Sequence, residues 1–291
     1  MDDIKLKYFI AAAECLSFTE AAGREFTTQP NVSKQISALE KELDTKLFTR
    51  RNRTIQLTPA GEYLYEETKY FPAKMDQIIK TTRALGRNEQ GELTIGLLAG
   101  QMLNNDIMKR FQLFHETYPE INYSLERAGF TDLYHALENR QYDLIITLSF
   151  DMRSFENLEA EKIGEHAVAV FANSNVPVEC AEDLRKAPFI AISPKESFGG
   201  FEKLLSYCRG HGFEPNIVRL ADSLDSLLFY VEAGMGVSLL DRNTRLENSQ
   251  NIHVIPLEDA ETSDVVVVWN KKNHNPNIAK MVEMLKEKTM D

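Results

Sequence analysis

The sequence predicts an α/β chain in which a small helical head with a β-hairpin is joined by a long helix to a larger domain of alternating strands and helices. Two observations support this prediction. Apolar residues recur at helical spacing in the first 40 residues and again between residues 64 and 85, whereas short apolar strands alternate with helical segments from about residue 92. A chain of 291 residues is also long for one compact core, so about two domains are expected.

Charge is distributed unevenly along the chain. The whole chain has a formal net charge of −11, but residues 1–58 hold nine basic and eight acidic residues. A near-neutral head on an acidic body excludes a protein that coats nucleic acid with its whole surface, and it fits site-specific binding by the head. There is no apolar run of the roughly 18 residues that cross a membrane and no export-signal layout, so we expect a cytoplasmic protein.

Two helices of the head are placed to form a helix-turn-helix. Ser17 and Glu20 form a capping box at the start of the first helix, and Thr28 is the expected cap of the second. If the second helix enters a major groove, the residues near its exposed N-terminal end can reach base edges or phosphates. These residues are Thr28, Gln29, Pro30, Asn31, Ser33 and Lys34. An ordinary surface helix is the alternative for this segment.

A basic hairpin follows the two helices. Residues 47–58 have the pattern of two short strands around a turn that contains Arg50, Arg51 and Arg53. Such arginines can contact phosphates or a minor groove. A run of charge is usually only a solvated surface, but its position directly after a helix-turn-helix pattern favours a DNA-contacting β-wing.

These segments resemble the DNA-binding head of the LysR-type transcription regulators. The matching motifs are residues 17–22 (SFTEAA), 29–30 (QP), 32–36 (VSKQI), 39–40 (LE), 47–48 (LF) and 57–61 (LTPAG). The resemblance implies a winged helix-turn-helix over residues 1–58 that contacts promoter DNA through Gln29, Pro30, Ser33, Lys34 and Arg53. For a regulator of this kind we also expect contact with RNA polymerase. Asn31 stands where the family usually has a small residue.

Residues 59–90 are predicted to form a linker helix and a hinge. Thr58 and Pro59 mark a helix start, and the following seam has alternating spacings of four and three, which is typical of a helix that packs on a partner helix. The seam positions are Leu64, Thr68, Phe71, Met75, Ile78, Thr82 and Leu85. Pro72 is expected to kink or interrupt the helix, and Gly86 and Gly91 to end it. Packing on the chain's own body is the alternative, whereas the resemblance favours a dimer or a tetramer.

Residues 91–291 are predicted to form two α/β lobes, because strands and helices alternate in a way that indicates a parallel sheet. The predicted strands are residues 93–98, 121–127, 143–147, 167–171, 189–192, 217–220, 237–240 and 265–269. The predicted helices include residues 103–118, 133–139 and 277–288. We place lobe I at about 91–161 and 265–291, and lobe II at about 162–264. Residues 129–131 (GFT), Leu137, 143–147 (DLIIT) and 231–237 (VEAGMGV) resemble the family's effector-binding domain, a two-lobed fold similar to periplasmic solute-binding proteins.

A small-molecule effector is expected between the lobes. In open α/β sheets ligands bind beyond the carboxyl ends of the strands, and helix N-termini there suit an anion such as a carboxylate, which Lys195 would neutralise. The candidate effector-binding residues are Gly100, Gln101, Met102, Thr131, Thr147, Lys195, Ser197, Phe198 and Ser223. The resemblance places Gln101, Thr131, Ser197 and Phe198 in effector-lining regions. For each of them, a plain polar loop residue is the alternative.

Two other classes of protein compete with a ligand-controlled DNA-binding regulator. An exported solute-binding protein would explain the two lobes alone and would need an export signal. An enzyme would need a catalytic cluster, and the sequence has no phosphate-cradling glycine motif and no nucleophile elbow. The six histidines and three cysteines show no metal-ligand spacing. We therefore expect a regulator with no catalytic residue, no metal and no cofactor.

Overall fold

The structure is a computed structural model that describes residues 2–51, 54–72, 74–75, 78–79, 82, 92–149, 157–178, 181–246, 249, 251–257 and 262–286, with the backbone alone at 50, 51, 54 and 181. The chain divides into two compact units, Met1–Ile79 and Lys80–Asp291. Within the described ranges, no helix has both the length and the apolar character needed to cross a membrane. Each unit has its own hydrophobic core.

The first unit consists of helices and one antiparallel hairpin. Its elements are α1 (Asp3–Cys15), α2 (Phe18–Arg24), α3 (Gln29–Glu42), β1 (Phe48–Arg51), β2 (Thr54–Leu57) and α4 (Pro59–Thr68). Ser17 caps α2 as predicted, because its Oγ accepts a hydrogen bond from the Glu20 amide at 3.3 Å. Thr28 is the N-cap residue of α3, but its side chain makes no capping hydrogen bond. Small alanines and Phe9 fill the space where these helices cross.

The linker helix is interrupted just before Pro72, as the sequence predicts. Helix α4 starts with the Thr58 side chain accepting from the Gly61 amide at 3.0 Å, and it ends at Thr68. Pro72 has no amide hydrogen to bond the Thr68 carbonyl four residues earlier, so an uninterrupted helix would lose that bond. A two-residue turn follows Thr68, and described residues from Phe71 onward are helical again. The expected end of the helix at residues 86 and 91 lies outside the described residues.

The predicted packing seam is divided by this interruption. Leu64 packs against the core of the head, and Thr68 is buried with its hydroxyl on the Leu64 carbonyl. Beyond the interruption, Phe71, Met75 and Ile78 are exposed. The first part of the seam therefore stabilises the head of its own chain, and the second part presents an apolar stripe.

The second unit alternates strands and helices in the order that the sequence predicts, with two additions. Its elements are β3 (Leu93–Leu98), α5 (Asn105–Thr117), β4 (Tyr123–Ala128), α6 (Phe130–Glu138), β5 (Leu144–Leu148), β6 (Leu158–Asn173), β7 (Pro188–Ile192), α7 (Phe198–Gly210), β8 (Asn216–Ala221), α8 (Leu224–Glu232), β9 (Ser238–Asp241), β10 (Ile252–Pro256), β11 (Thr262–Asn270) and α9 (Asn277–Lys286). Sequence analysis did not predict β10 or the first nine residues of β6.

Only part of the main sheet is parallel. Strands β4, β3 and β5 pair in parallel as predicted, whereas β11 lies antiparallel between β5 and β6. The long strand β6 pairs with β11 through its first half and with β9 and β10 through its second half, so it belongs to both lobes. Its first half was missed because the alternating charged residues of 158–166 do not resemble a buried strand. Strand β11 pairs with β5, and α9 packs against α5.

Candidate functional sites

Helix α3 presents the predicted polar residues on its exposed side. Val32, Ile36 and Leu39 are buried in the head core, which fixes the rotation of the helix. The opposite side is polar and accessible at the N-terminal end of the helix. Thr28, Gln29, Pro30 and Lys34 are exposed, and Asn31 and Ser33 are half-buried. Asn31 donates to the Thr27 hydroxyl at 3.0 Å, so its amide is held against the turn.

The β-hairpin is joined to α3 through a buried glutamate. One carboxylate oxygen of Glu40 accepts from the amides of Leu47 and Phe48 at 2.9 and 3.3 Å, and the other contacts Lys46 Nζ at 2.6 Å. Burial alone would raise the pKa of Glu40, but the hydrogen bonds from Lys46, Leu47 and Phe48 and the ammonium charge lower it below its usual range. Glu40 is therefore ionised at neutral pH and fixes where the hairpin leaves α3.

Aromatic packing and one glycine fix the same junction. The Phe48 ring lies 5.6 Å from the Phe9 ring and 5.4 Å from the Phe18 ring, centroid to centroid. At Gly61 of α4, a Cβ would lie 2.2 Å from the Leu47 carbonyl oxygen, so only glycine allows this approach. Arg50 and Arg51 lie in β1 opposite Ile55 and Thr54. Their side chains and the whole of Arg53 lie outside the described residues.

A cavity of about 370 Å³ lies between the two lobes of the second unit. Strand ends and loops of lobe I form one wall, and the N-terminal turns of α7 and α8 form the other. The accessible surface of the wall is mostly apolar, and its aliphatic and phenylalanine residues are Leu98, Ala99, Ala128, Phe130, Leu148, Val168, Ile192, Leu204, Leu224, Leu227, Leu239 and Leu240. The charged wall residues are Arg127, Glu196, Lys203, Asp225 and Asp241. An apolar enclosure with few polar groups is typical of a small-molecule site.

A carboxylate from lobe II binds the N-terminus of α6 in lobe I. The Phe130 amide donates to Glu196 Oε1 at 2.8 Å, and the Thr131 hydroxyl donates to the carbonyls of Lys195 and Glu196, both at 3.1 Å. A Cβ at Gly129 would lie 2.3 Å from Glu196 Oε1, so glycine leaves room for this carboxylate. One of the helix N-termini at the strand ends, which we expected to suit an effector anion, is thus occupied by the chain's own glutamate.

Other wall groups are also paired within the protein. Lys203 Nζ donates to Ser263 Oγ at 2.6 Å and to the Thr262 carbonyl at 3.0 Å. Asp241 Oδ2 lies 2.6 Å from His166 Nδ1, and both side chains are buried. Asp241 is the last residue of β9, and a turn follows it. Its Oδ1 also accepts from the Asn243 amide at 2.7 Å, which forms that turn.

Two family models cover almost all of this architecture. The bacterial regulatory helix-turn-helix protein, lysR family, matches residues 5–62, and the LysR substrate binding domain matches residues 86–290. The chain belongs to the LysR family. It is a DNA-binding transcription regulator with a substrate-binding domain, and regulators of this family bind promoter DNA and small-molecule effectors and form oligomers. Its curated relatives are named as transcriptional regulators rather than enzymes.

Two curated relatives of this LysR regulator match along nearly its whole length. The HTH-type transcriptional regulator BudR of Raoultella terrigena is 26% identical over 286 residues, with 96% of this chain and 98% of BudR covered. The transcriptional dual regulator GltC of Bacillus subtilis is 29% identical over 278 residues, covering 92% and 90% of the two chains. The crystal structure of CbnR, a LysR family regulator, has a TM-score of 0.74 and 20% identity over both full chains. This last likeness confirms the fold.

The structure brings together four of the nine predicted effector-binding residues of the LysR regulator. Gly100, Gln101, Ser197 and Ser223 lie on the cavity wall. Ser197 and Ser223 are also the N-cap residues of α7 and α8, and their side chains accept from the Gly200 and Ser226 amides.

The other five lie off the wall. Thr147 is buried in β5 next to Leu148, which does reach the cavity, and successive strand residues point to opposite faces. Thr131 contacts the lobe II loop, Lys195 is exposed there, and Met102 and Phe198 are about half exposed, 51% and 54%. The anion partner expected at Lys195 is therefore not on this wall, and Lys203 and Arg127 supply the positive charge instead.

Sequence analysis missed several charged wall residues of the LysR regulator. Arg127 ends a predicted strand, Asp241 directly follows another, and Glu196 lies in a loop already singled out, so the strand-end rule could have found all three. Lys203 lies inside α7, where no strand-end signal marks it. Among the described residues, no cluster of three His, Cys, Asp or Glu side chains is placed to hold a metal ion.

Proposed function

We propose that this LysR regulator reads operator DNA with the exposed N-terminal end of α3 and with the β1–β2 hairpin. The observation that carries the proposal is the division of α3 into a buried apolar side and an exposed polar side with Gln29, Pro30 and Lys34 accessible. CbnR, whose fold is similar, has a crystal structure in complex with its target DNA. Gln29 is suited to bidentate pairing with adenine, and Ser33 and Lys34 to bases or phosphates. The hairpin residues Arg50, Arg51 and Arg53 would contact phosphates or a minor groove.

The proposed DNA contacts are tested by measuring operator affinity over a range of salt concentrations. Lys34→Ala should weaken binding to every sequence and lower the steepness of the log–log salt dependence by about 1, because one phosphate contact is lost. Lys41→Ala is the matched control, since Lys41 is exposed at the other end of the same helix. Equal salt dependence in both variants and the parent would rule out Lys34 as a phosphate contact.

Base reading is tested separately at position 29. Gln29→Ala should lower affinity for the operator by about five- to a hundredfold while affinity for unrelated DNA changes little, because a bidentate base contact contributes about 1–3 kcal/mol of discrimination. A variant that loses both affinities equally would place Gln29 on the backbone rather than on a base.

We propose that the operator-bound form is a dimer or a tetramer built through the linker helix. The exposed stripe of Phe71, Met75 and Ile78 continues a seam with coiled-coil spacing, and a second copy of the helix is its natural partner. Two heads related by two-fold symmetry would read two half-sites. For the domains we propose a DNA-binding domain over 1–58, a linker over 59–90 and an effector domain over 91–291, with α4 packed on the head.

We propose that a small-molecule effector occupies the interlobe cavity and shifts the balance between two lobe arrangements. The linker transmits this change to the heads, and RNA polymerase senses the result. The effector can do so only by binding the two arrangements unequally. A carboxylate on the effector is supported by Lys203, by Arg127 and by the N-terminus of α7, whose Ser197 and Gly200 lie on the wall. We place this regulation in the cytoplasm.

The effector site is tested by narrowing the cavity. Leu227→Trp should fill space next to α8 and abolish both the thermal shift and the change in operator affinity that an effector produces. Operator binding without effector should be retained. An effector response that survives in this variant would place the site elsewhere.

A further inference from the structure

The side chain of Gln101 is unusual among the polar groups of the cavity wall. It is 4% exposed and lies on the wall, yet neither its Oε1 nor its Nε2 has a hydrogen-bond partner among the described residues. Ser197 and Ser223 cap helices, and Lys203 and Asp241 are held by Ser263 and His166. Both hydrogen-bonding groups of Gln101 are thus unpaired within the described protein, and a molecule in the cavity can pair with them when the side chain turns to face it.

The backbone of Gln101 is held firmly although its side chain is not bonded. Its amide donates to the Leu98 carbonyl at 3.2 Å, and its carbonyl accepts from Arg127 Nη1 at 2.8 Å. It also forms an isolated antiparallel bridge with Thr244. The backbone of Gln101 is therefore fixed, and only its side-chain torsions lose freedom when a ligand pairs with the carboxamide.

A buried carboxamide without partners costs free energy, and an apolar side chain of similar size would avoid that cost. The cost is offset when a bound molecule supplies the missing acceptor and donor. The carboxamide has one donating and one accepting edge side by side, so its complement is a donor beside an acceptor. A plain carboxylate could accept from Nε2, but its second oxygen would face Oε1, which is also an acceptor.

We propose that Gln101 selects an effector whose polar end carries a hydrogen-bond donor beside an acceptor, as in a 2-hydroxycarboxylate or a primary carboxamide, on an apolar body. This inference rests on the proposed function, in which the effector occupies the interlobe cavity. The apolar majority of the wall accommodates the body, and Gln101 reads the polar end. A simple carboxylate or a hydrocarbon satisfies one or neither edge of Gln101 and binds weakly.

The position of Gln101 also connects recognition to lobe arrangement. The Met102 amide donates to the Asn243 carbonyl at 2.9 Å, and the Arg245 amide donates to the Gly100 carbonyl at 2.7 Å. The segment that carries Gln101 in lobe I is thus bonded directly to the segment that follows β9 in lobe II. A ligand that pairs with Gln101 lies against this junction and changes its energy in one lobe arrangement more than in another.

The test compares ligands that share one skeleton and differ only in the polar end. Phenylacetate, mandelate and phenylacetamide form one set, and propionate, lactate and propionamide form a smaller one. Dissociation constants are measured with the full chain by isothermal calorimetry. We expect mandelate or phenylacetamide, or their smaller counterparts, to bind at least about tenfold more tightly than the plain acid, because two paired hydrogen bonds replace one. Which of the two is preferred distinguishes the hydroxy acid from the amide.

Variants assign this preference to Gln101. Gln101→Leu should reduce the tenfold preference to about onefold. Gln101→Glu, whose two oxygens both accept and carry a negative charge, should weaken the binding of both acids and still bind the amide through its NH2 group. Gln112→Leu is the matched control, since Gln112 is exposed on α5. Without ligand, Gln101→Leu should unfold at the same or a higher temperature than the parent chain, whereas a merely structural glutamine predicts a lower one.

Three results would overturn the proposal: a plain acid that binds as tightly as its hydroxy or amide counterpart, a preference that persists in Gln101→Leu, or no binding by any of the six compounds. Its failure is separable from failure of the proposed function. If plain acids bind and Leu227→Trp abolishes their binding, the cavity is the effector site and Gln101 does not select the ligand. If ligands bind Leu227→Trp and the parent chain equally, the proposed site itself is wrong.

Discussion

Removing the carboxylate of Glu40 should loosen the β1–β2 hairpin from α3. In Glu40→Ala, the amides of Leu47 and Phe48 lose their acceptor at positions where both residues are buried, 1% and 8% exposed. The lost ion pair with Lys46 matters less, since that side chain is 76% exposed and an exposed pair contributes about 0–1 kcal/mol. Each unsatisfied buried amide costs about 1–3 kcal/mol. The head should therefore lose about 2–6 kcal/mol of stability.

The isosteric variant Glu40→Gln separates charge from hydrogen bonding. Its carbonyl oxygen can still accept from both amides, so only the charge assistance and the Lys46 pair are lost, about 1–2 kcal/mol in total. The pKa of Glu40 is lowered in the folded state, so the stabilisation is complete above the carboxyl's ordinary pKa and is lost as the pH falls through the folded value. Glu40→Gln should remove this acid dependence of the hairpin.

Hydrogen exchange read by mass spectrometry measures these effects in the head. Peptides that cover residues 45–57 should exchange at least about thirtyfold faster in Glu40→Ala and about tenfold faster in Glu40→Gln. The fluorescence of Trp269, the chain's single tryptophan, reports the second unit and should be unchanged. Glu42→Ala is the matched control, because Glu42 ends the same helix and pairs with Lys5 at the surface. If Glu40→Ala exchanges no faster than Glu42→Ala, the carboxylate does not hold the hairpin.

Three further predictions concern other parts of the chain. Glu196→Gln weakens the contact with the Phe130 amide, so the lobes should separate more readily. Solution scattering of the ligand-free chain should then show a larger radius of gyration. An unchanged radius of gyration would mean that this contact does not hold the lobes together. Met75→Lys should convert the oligomer to a monomer, as measured by sedimentation velocity, because it would bury a charge in the apolar seam. A dimer that persists in this variant would place the interface elsewhere. Gly61→Ala should lower the head's stability by about 1–3 kcal/mol in urea titrations, because the new Cβ would clash with the Leu47 carbonyl oxygen. Helix propensity alone predicts the opposite, so a stabilised head would contradict the clash.

The candidate effector site shows where reasoning from the sequence stops. The strand-end rule found Gly100, Gln101, Ser197 and Ser223, because the ends of strands and the starts of helices are local features. The same rule also selected Thr147, which lies off the wall, one residue before the wall residue Leu148. In a strand a shift of one position reverses the face, and nothing local to Thr147 determines which face meets the other lobe.

Sequence by itself determined the head and the interruption of the linker. The buried side of α3 follows from apolar spacing within one helix, and the break before Pro72 follows from a missing amide hydrogen, so both depend on residues a few positions apart. Tertiary structure alone decided that β6 spans both lobes and that Glu196 reaches the N-terminus of α6. The pairing of β6 with β11 and the contact of Glu196 with Phe130 join residues that are distant in sequence. Such pairings are chosen by the packing of the whole domain, which no local pattern encodes.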